Sequence, residues 1–177
     1  SINSLSAGQR SIIHLVFVFF VRDEVKGGVV IVDEPEIHLH YQFQHEYLKI
    51  MNDIIKDQAT QYILVTHSDG FIDHTTAPYL KRFALNKNRE SVVYSPLFNS
   101  SQDELVRILD NKQSARVLFS NKVILVEGQD DRFFYRALLD KLHPGLRKEI
   151  SVFDVGGRDD YVRWIKFFES YGLIVYC

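Results

Sequence analysis

The chain has 177 residues, 46% of them hydrophobic, which is enough for one ordinary domain or two small ones with real cores. Its 21 Lys and Arg against 23 Asp and Glu give a net charge of −2, so there is no basic footprint for passive coating of nucleic acid, though a metal-dependent site touching phosphate locally stays open. A single cysteine, Cys177, excludes a disulfide scaffold and fits a reducing cytoplasm, and the apolar run from Ile12 to Val21, broken by His14, is too short to span a bilayer.

No signal-peptide pattern, internal repeat or low-complexity tract is visible. The chain starts without Met in a loop-like stretch and stops in the apolar run Leu173 to Cys177. That pattern is expected of a piece of something longer.

Ser4 to Arg10 (SLSAGQR) leads into the apolar run, with Ser6 placed to cap a helix and Gly27-Gly28 placed to close it. Small residues and a glycine at a helix start leave backbone N–H groups free to meet a phosphate. A well-capped core helix is the plainer reading of this piece alone.

Val29 to His40 reads VVIVDEPEIHLH. Four apolar residues without alternation predict a strand covered on both faces, as in a parallel α/β sheet. It ends in two adjacent acids, Asp33 and Glu34, at the strand end where such sheets bind ligands. Burying apolar surface up to two acids is costly unless a cation or a proton-transfer task accounts for them. On that reading Asp33 holds Mg²⁺ and Glu34 orients or deprotonates an attacking water. A strand running into an acidic turn explains the same residues equally well.

Tyr41 to Lys56 predicts a helix with Phe43, Tyr47, Ile50, Met51 and Ile54 as its core stripe. Gln61 to Val65 predicts the next strand, ending at Thr66-His67-Ser68, where His67 could reach or sense a γ-phosphate. His38, His40 and His45 lack a cysteine or carboxylate that would complete a zinc set, and structural use outweighs metal binding there.

LSAGQ, a strand ending in Asp-Glu and a strand ending in His follow one another in fixed order. This resembles the C-terminal half of an ABC-type ATPase domain, in the branch that includes DNA-repair and phage-defence ATPases. The resemblance implies that Ser6, Ala7, Gly8 and Gln9 form a signature motif touching ATP on a partner subunit. It also implies Asp33 as the Walker B metal ligand, Glu34 as catalytic base and His67 as switch histidine. VDEPEIHLH and THSDGFID are most similar to the overcoming-lysogenization-defect (OLD) family, although Tyr41 stands where a proline is common. No G-x-x-x-x-G-K-[ST] loop occurs among the nine glycines, so the ATPase reading expects a P-loop before residue 1 and no hydrolysis by this piece alone.

Lys81 to Asn86 and Ser91 to Tyr94 predict short strands around a polar turn. Pro96 to Gln102 is the most linker-like stretch, and Asp103 to Leu109 and Ala115 to Phe119 predict helical turns. The expected organisation is 1–100 for the ATPase portion, 101–120 for a helical connector and 121–177 for a second α/β portion.

Lys122 to Val126 (KVILV) predicts another continuous strand, ending in Glu127 and Gly128. A helix follows, with Asp130 and Asp131 at its start and Phe133, Phe134, Ala137, Leu138 and Leu142 as its apolar stripe. An acid at the strand tip and another four residues on can converge on one hard cation, Mg²⁺ or Mn²⁺. The plainer alternative is two acids favouring a helix N-terminus. Ile150 to Val155 predicts a strand running into Gly156-Gly157-Arg158, which could approach phosphate or simply turn. Tyr161 to Tyr171 predicts an amphipathic helix, and Leu173 to Cys177 a third strand.

The order β-α-β-α-β with acids at the first tip is similar to a Toprim fold. VILVEGQDDRFFYRALL followed by DVGGRDD closely resembles the Toprim domain of OLD-family nucleases, including Gabija-type defence nucleases, in which it follows the ATPase domain. The expected fold class is therefore α/β: the C-terminal half of an ABC-type ATPase domain, a parallel sheet with helices, followed by a partial, Rossmann-like Toprim domain. The resemblance implies Glu127 and Asp131 as metal ligands and catalytic acids, with Gly128, Gly156 and Gly157 shaping the site. A Toprim site also needs Asp-x-Asp after the third strand, and these nucleases typically add a lysine; the sequence stops at Cys177, where that pair is expected.

The leading expectation is an ATP-gated, divalent-metal-dependent DNA endonuclease in anti-phage defence or DNA processing. Its implied partners are a second copy of itself (a homodimer or higher), duplex DNA and an accessory defence protein, with no membrane. The alternative is an ATPase clamp or sensor whose Toprim half is a non-catalytic, protein-binding scaffold. A Toprim unit for strand passage or primer synthesis is disfavoured by the preceding ATPase motifs.

Overall fold

A computed structural model describes residues 5–6, 9–10, 12–13, 27–56, 60–73, 75–86, 88–95 and 112–177. Ala7, Gly8, most of the run Ile12 to Val21, the expected linker and the expected turn Asp103 to Leu109 lie outside them. The chain divides into two compact units, Ser1–Phe71 and Ile72–Cys177. The expected boundary near Ser100 falls outside the described residues.

In the first unit β1 (Val29–Asp33) pairs in parallel with β2 (Gln61–Val65), Val29 opposite Gln61 and Asp33 opposite Val65. Between them runs α1 (Tyr41–Lys56). Its buried face is Gln44, Tyr47, Leu48 and Met51, which pack with Leu39 and Phe71 over Val30, Val32, Tyr62 and Leu64. Of the expected stripe residues, Tyr47 and Met51 belong to that face, Ile50 packs against it half-buried, and the side chain of Ile54 lies outside the described residues. Phe43 turns outward, and Gln44 takes the inward place. The expectation that both faces of β1 are covered also changes. Among the described residues α1 covers one face only, and Val29 and Ile31 stay exposed on the other.

In the second unit β3 (Arg82–Leu85) and β4 (Ser91–Tyr94) form an antiparallel hairpin. Its turn is closed by Asn86 Oδ1, which accepts from the N–H groups of Asn88 and Glu90 at 2.8 and 3.0 Å. After α2 (Lys112–Val117) come β5 (Lys122–Val126), α3 (Gln129–Leu142), β6 (Ile150–Asp154), α4 (Tyr161–Ser170) and β7 (Ile174–Tyr176). The three strands are parallel in the order β6-β5-β7, so β5 is central. Continuous apolar strands suit that position, and Val123, Leu125 and Phe153 are almost fully buried. Phe153, Trp164, Phe167, Phe168 and Tyr171 form one aromatic cluster, with the Phe153 and Trp164 centroids 4.4 Å apart. The α3 stripe fares differently: Phe133, Phe134, Leu138 and Leu142 remain exposed among the described residues.

Arg82 fastens the hairpin to this sheet. Its guanidinium donates to the carbonyls of Leu118 (2.8 Å), Ser120 (2.7 Å) and Tyr171 (3.0 Å). Those carbonyls lie just before β5 and β7. Three bonds in a fixed fork need a planar donor, which is what arginine supplies. Burial away from water pushes its pKa down, and the Tyr94 phenol partly offsets that.

Candidate functional site

Two strand tips carry the acids singled out in the sequence, Asp33 with Glu34 and Glu127. In the first unit, β1 ends at Asp33 and the ladder to β2 runs one step further, Glu34 N–H donating to Val65 carbonyl at 2.9 Å. Glu34 itself takes a left-handed conformation, φ 45° and ψ 54°. That region is sparsely populated by side chains larger than Asn or Asp, and such strain gathers at functional sites. Pro35 then begins a single 3₁₀ turn, Pro35–His38.

The turn after β2 folds back onto this one. His67 Nε2 lies 3.5 Å from Glu34 Oε1, both side chains well exposed, so they form an ion pair when His67 is protonated. Beneath them Glu36 Oε1 accepts from the Thr66 hydroxyl at 2.8 Å and from His67 N–H at 2.6 Å. The other carboxylate oxygen of Glu36 is buried, with no hydrogen-bond partner among the described residues. Ser68 Oγ donates to Gln44 Oε1 (2.7 Å), whose Nε2 donates to Leu39 carbonyl (3.3 Å).

Two expected residues, Glu34 and His67, are thus brought together, and Asp33 stands at the strand end beside them. Glu36 was not singled out by sequence reasoning. Its only signal was an acid placed just after Pro35, where a tight turn returns the chain toward the strand tip.

Ser6 and Gln9 make a reciprocal cap: Ser6 N–H donates to Gln9 Oε1 (3.0 Å) and Gln9 N–H to Ser6 Oγ (3.3 Å). The described residues between Ser6 and Ile13 include helical positions 9, 10, 12 and 13. Of the three histidines weighed for zinc, His40 and His45 are exposed, and His45 packs edge-on to Tyr41. Among the described residues no group of three or more His, Cys, Asp or Glu is placed to hold a metal.

In the second unit Glu127 follows β5, the central strand, beside the point where the winding of the sheet reverses. Gly128 is the extended residue before α3, and Asp130 and Asp131 occupy the first turn of that helix. Gly156 and Gly157 hold φ of 79° and 152°, conformations that favour glycine, so this loop keeps its course only without a Cβ. Arg158 Nε lies 3.6 Å from Glu127 Oε2, both largely exposed. Deeper, Arg132 pairs with Asp154 at the end of β6 (3.1 Å) and donates to Gln113.

Tyr161, the first residue of α4, was expected only as the start of an amphipathic helix and not as part of a site. Its phenol is pushed up by burial first, then by the negative charges of Glu127, Cys177 and Asp131, with Arg158 opposing. Glu127 follows β5 directly, and Asp131 lies in the first turn of the helix after it. Their chemistry, hard carboxylate oxygens, fits Mg²⁺ or Mn²⁺.

Comparison with known proteins agrees with this division. Residues 1–72 match the AAA ATPase domain family, and residues 118–177 match the TOPRIM domain family of overcoming lysogenization defect protein-like sequences. An OLD nuclease of Thermus scotoductus is 29% identical over 163 residues, covering 85% of this chain and 30% of its own length. Endonuclease GajA of Bacillus cereus is 23% identical over 142 residues, covering 77% of this chain and 24% of its own length. A solved structure from work on the ATP-driven dimerization of SMC ATPases aligns at 20% identity and a TM-score of 0.42, over 63% of this chain and 64% of its own. The chain thus spans under a third of the length of the curated relatives it matches. It carries an AAA ATPase-like segment followed by an OLD-like Toprim segment, and is similar along most of its length to an OLD nuclease and to endonuclease GajA.

Proposed function

We propose that this chain is the part of an OLD-type nuclease that joins the hydrolytic end of an ATPase domain to the metal-binding start of a Toprim endonuclease domain. The observation that supports it most is the pair of acid-bearing strand tips, each at the carboxyl end of a parallel strand and each next to residues able to serve it.

At the first tip Asp33 would ligate Mg²⁺, Glu34 would orient or deprotonate the attacking water, and His67 would respond to the γ-phosphate. The strained backbone of Glu34 and the nearby His67 imidazole suit that task, because proton transfer needs its base held within hydrogen-bond reach. Ser6, Ala7, Gly8 and Gln9 would meet ATP bound to a second copy.

At the second tip Glu127 and Asp131 would hold Mg²⁺ or Mn²⁺, with Gly128, Gly156 and Gly157 shaping the approach of a phosphodiester. A bound divalent cation supplies water activation and stabilisation of the leaving oxygen. Arg158, beside Glu127, would exchange it for a DNA phosphate. The substrate would be duplex DNA, the setting cytoplasmic defence or DNA processing, with an accessory defence protein as a further partner. No described helix is long and apolar enough to cross a membrane.

The test is supercoiled-plasmid nicking by the full-length protein in Mg²⁺ or Mn²⁺, with and without ATP, beside Glu127→Ala. Metal-dependent nicking that disappears in the variant supports the endonuclease, and the ATP arm gives the sign of the coupling. Absence of cleavage in every arm would favour an ATPase clamp with a non-catalytic Toprim scaffold.

A further inference from the structure

Resting on the ATPase reading of the first strand tip, we propose that Glu36 is a positioning residue that holds His67 on Glu34.

The His67–Glu34 pair cannot hold itself. Both side chains are well exposed at 3.5 Å, and exposed ion pairs contribute little against side-chain freedom and solvent screening. The register of the pair must come from the backbone beneath it. On the Glu34 side that backbone is fixed by the ladder bond to Val65 and by the 3₁₀ turn, in which Ile37 N–H donates to Glu34 carbonyl (3.2 Å) and Leu39 N–H to Glu36 carbonyl (3.0 Å).

On the His67 side the chain has already left β2, and the described bond to His67 N–H comes from the Glu36 carboxylate, at 2.6 Å. The Thr66 hydroxyl donates to the same oxygen and accepts from Ser68 N–H at 2.9 Å, so three successive residues are ordered around one carboxylate oxygen. A carboxylate with its second oxygen buried and without a hydrogen-bond partner among the described residues is not a solvated surface charge. What it does visibly is join the turn after β1 to the turn after β2.

The test uses the full-length protein and separates kcat from KM for ATP in Glu36→Ala, Glu36→Gln, His67→Ala, Glu34→Gln and the Glu36→Ala/His67→Ala double variant. Glu36→Ala is expected to lower kcat about 10- to 100-fold with KM within about twofold, since a small misplacement of a reacting group costs that much. Glu36→Gln keeps an acceptor oxygen and is expected to restore kcat to within about threefold. The double variant is expected to be no slower than His67→Ala alone, because removing Glu36 can cost nothing further once the group it positions is gone. Thr66→Val, a gentler change, is expected to lose several-fold in kcat, and that loss too is expected to vanish in the His67→Ala background.

A Glu36→Ala loss that persists undiminished without His67, or a Glu36→Ala enzyme as fast as wild type while Glu34→Gln and His67→Ala are slow, overturns the Glu36 assignment and leaves the ATPase reading standing. If Glu34→Gln and His67→Ala both turn over ATP normally, the ATPase reading falls, and the Glu36 assignment falls with it.

Discussion

The two strand tips solve the same problem by different means. At the first, the acids are tied across to the neighbouring strand: Glu34 continues the β1–β2 ladder, Glu36 accepts from Thr66 and His67, and Gln44 joins Ser68 to Leu39. At the second, the fastening lies at the opposite end of the sheet. Arg82 gathers the carbonyls of Leu118, Ser120 and Tyr171 just before β5 and β7, while Glu127 at the carboxyl end meets the exposed Arg158. On the proposed roles the difference has a reason: a tip that would move a proton from a fixed water needs a preorganised base. A tip that would admit metal and a polymer substrate needs its acids reachable, with rigidity supplied from below.

The comparison can be broken most sharply at the second tip. Glu127→Ala is expected to abolish metal-dependent nicking, by about a thousandfold or more, because several kcal/mol of charge stabilisation depend on the bound cation. ATP turnover by the same variant should be unaltered. Nicking retained in Glu127→Ala would mean that the second tip has been misassigned.

At the first tip the complementary change is Glu34→Gln, which keeps shape and removes the proposed base. It is expected to slow ATP turnover about 10²- to 10⁴-fold while nucleotide stays bound. Radiolabelled ATP retained on filters together with a flat hydrolysis trace is the expected signature. Normal turnover would remove Glu34 from the role of base.

Arg82 tests the claim that the second sheet is held from below. Arg82→Ala strands three carbonyls partly out of water and is expected to cost about 2–4 kcal/mol of stability, read as a lower denaturant midpoint. Arg82→Lys should recover only a minority of that, since an ammonium cannot fork among three acceptors. If Lys restores full stability, the fork geometry is irrelevant and only the charge matters.

Much of this was legible in the sequence, for identifiable reasons. Continuous apolar runs ending in acids placed β1 and β5 and their tips, although only β5 is buried as such a run implies and β1 leaves Val29 and Ile31 exposed among the described residues. The bounds of α1 and the β-α-β-α-β order of the second half follow from apolar periodicity and punctuation by glycine. The residues that hold the first tip together were not legible. Glu36 bonds to Thr66 and His67 across thirty residues of chain, and no local pattern reports a contact between two turns brought side by side by strand pairing. Phe43 misled for a related reason: apolar spacing marks a helix but does not choose which residue faces in, and Gln44 is buried there to meet Ser68. Arg82 and Tyr161 went unseen because each acts on partners from other elements, which spacing along one element cannot show.

The smallest expected effect lies at the start of the second unit. Asp73 Oδ1 accepts from Thr75 N–H (2.8 Å), the Thr75 hydroxyl (2.6 Å) and Thr76 N–H (3.0 Å), closing the turn that leads to Ala77 in the core. Burial raises its pKa, but these bonds favour the charged form and outweigh it, so the folded value lies below the ordinary 3.8. The sign follows from linkage. A carboxylate depressed on folding contributes stability that is fully present above the unfolded pKa and is lost as pH falls through the folded one. The second unit is therefore expected to lose a small increment of stability below about pH 4, under roughly 1 kcal/mol after solvent screening. Thermal melts of wild type and Asp73→Asn should converge as pH drops through that window and separate above it. A melt that reports the two units separately should place the Asp73-dependent change in the second, which holds Asp73. The same pH dependence surviving in Asp73→Asn would assign it to another carboxylate.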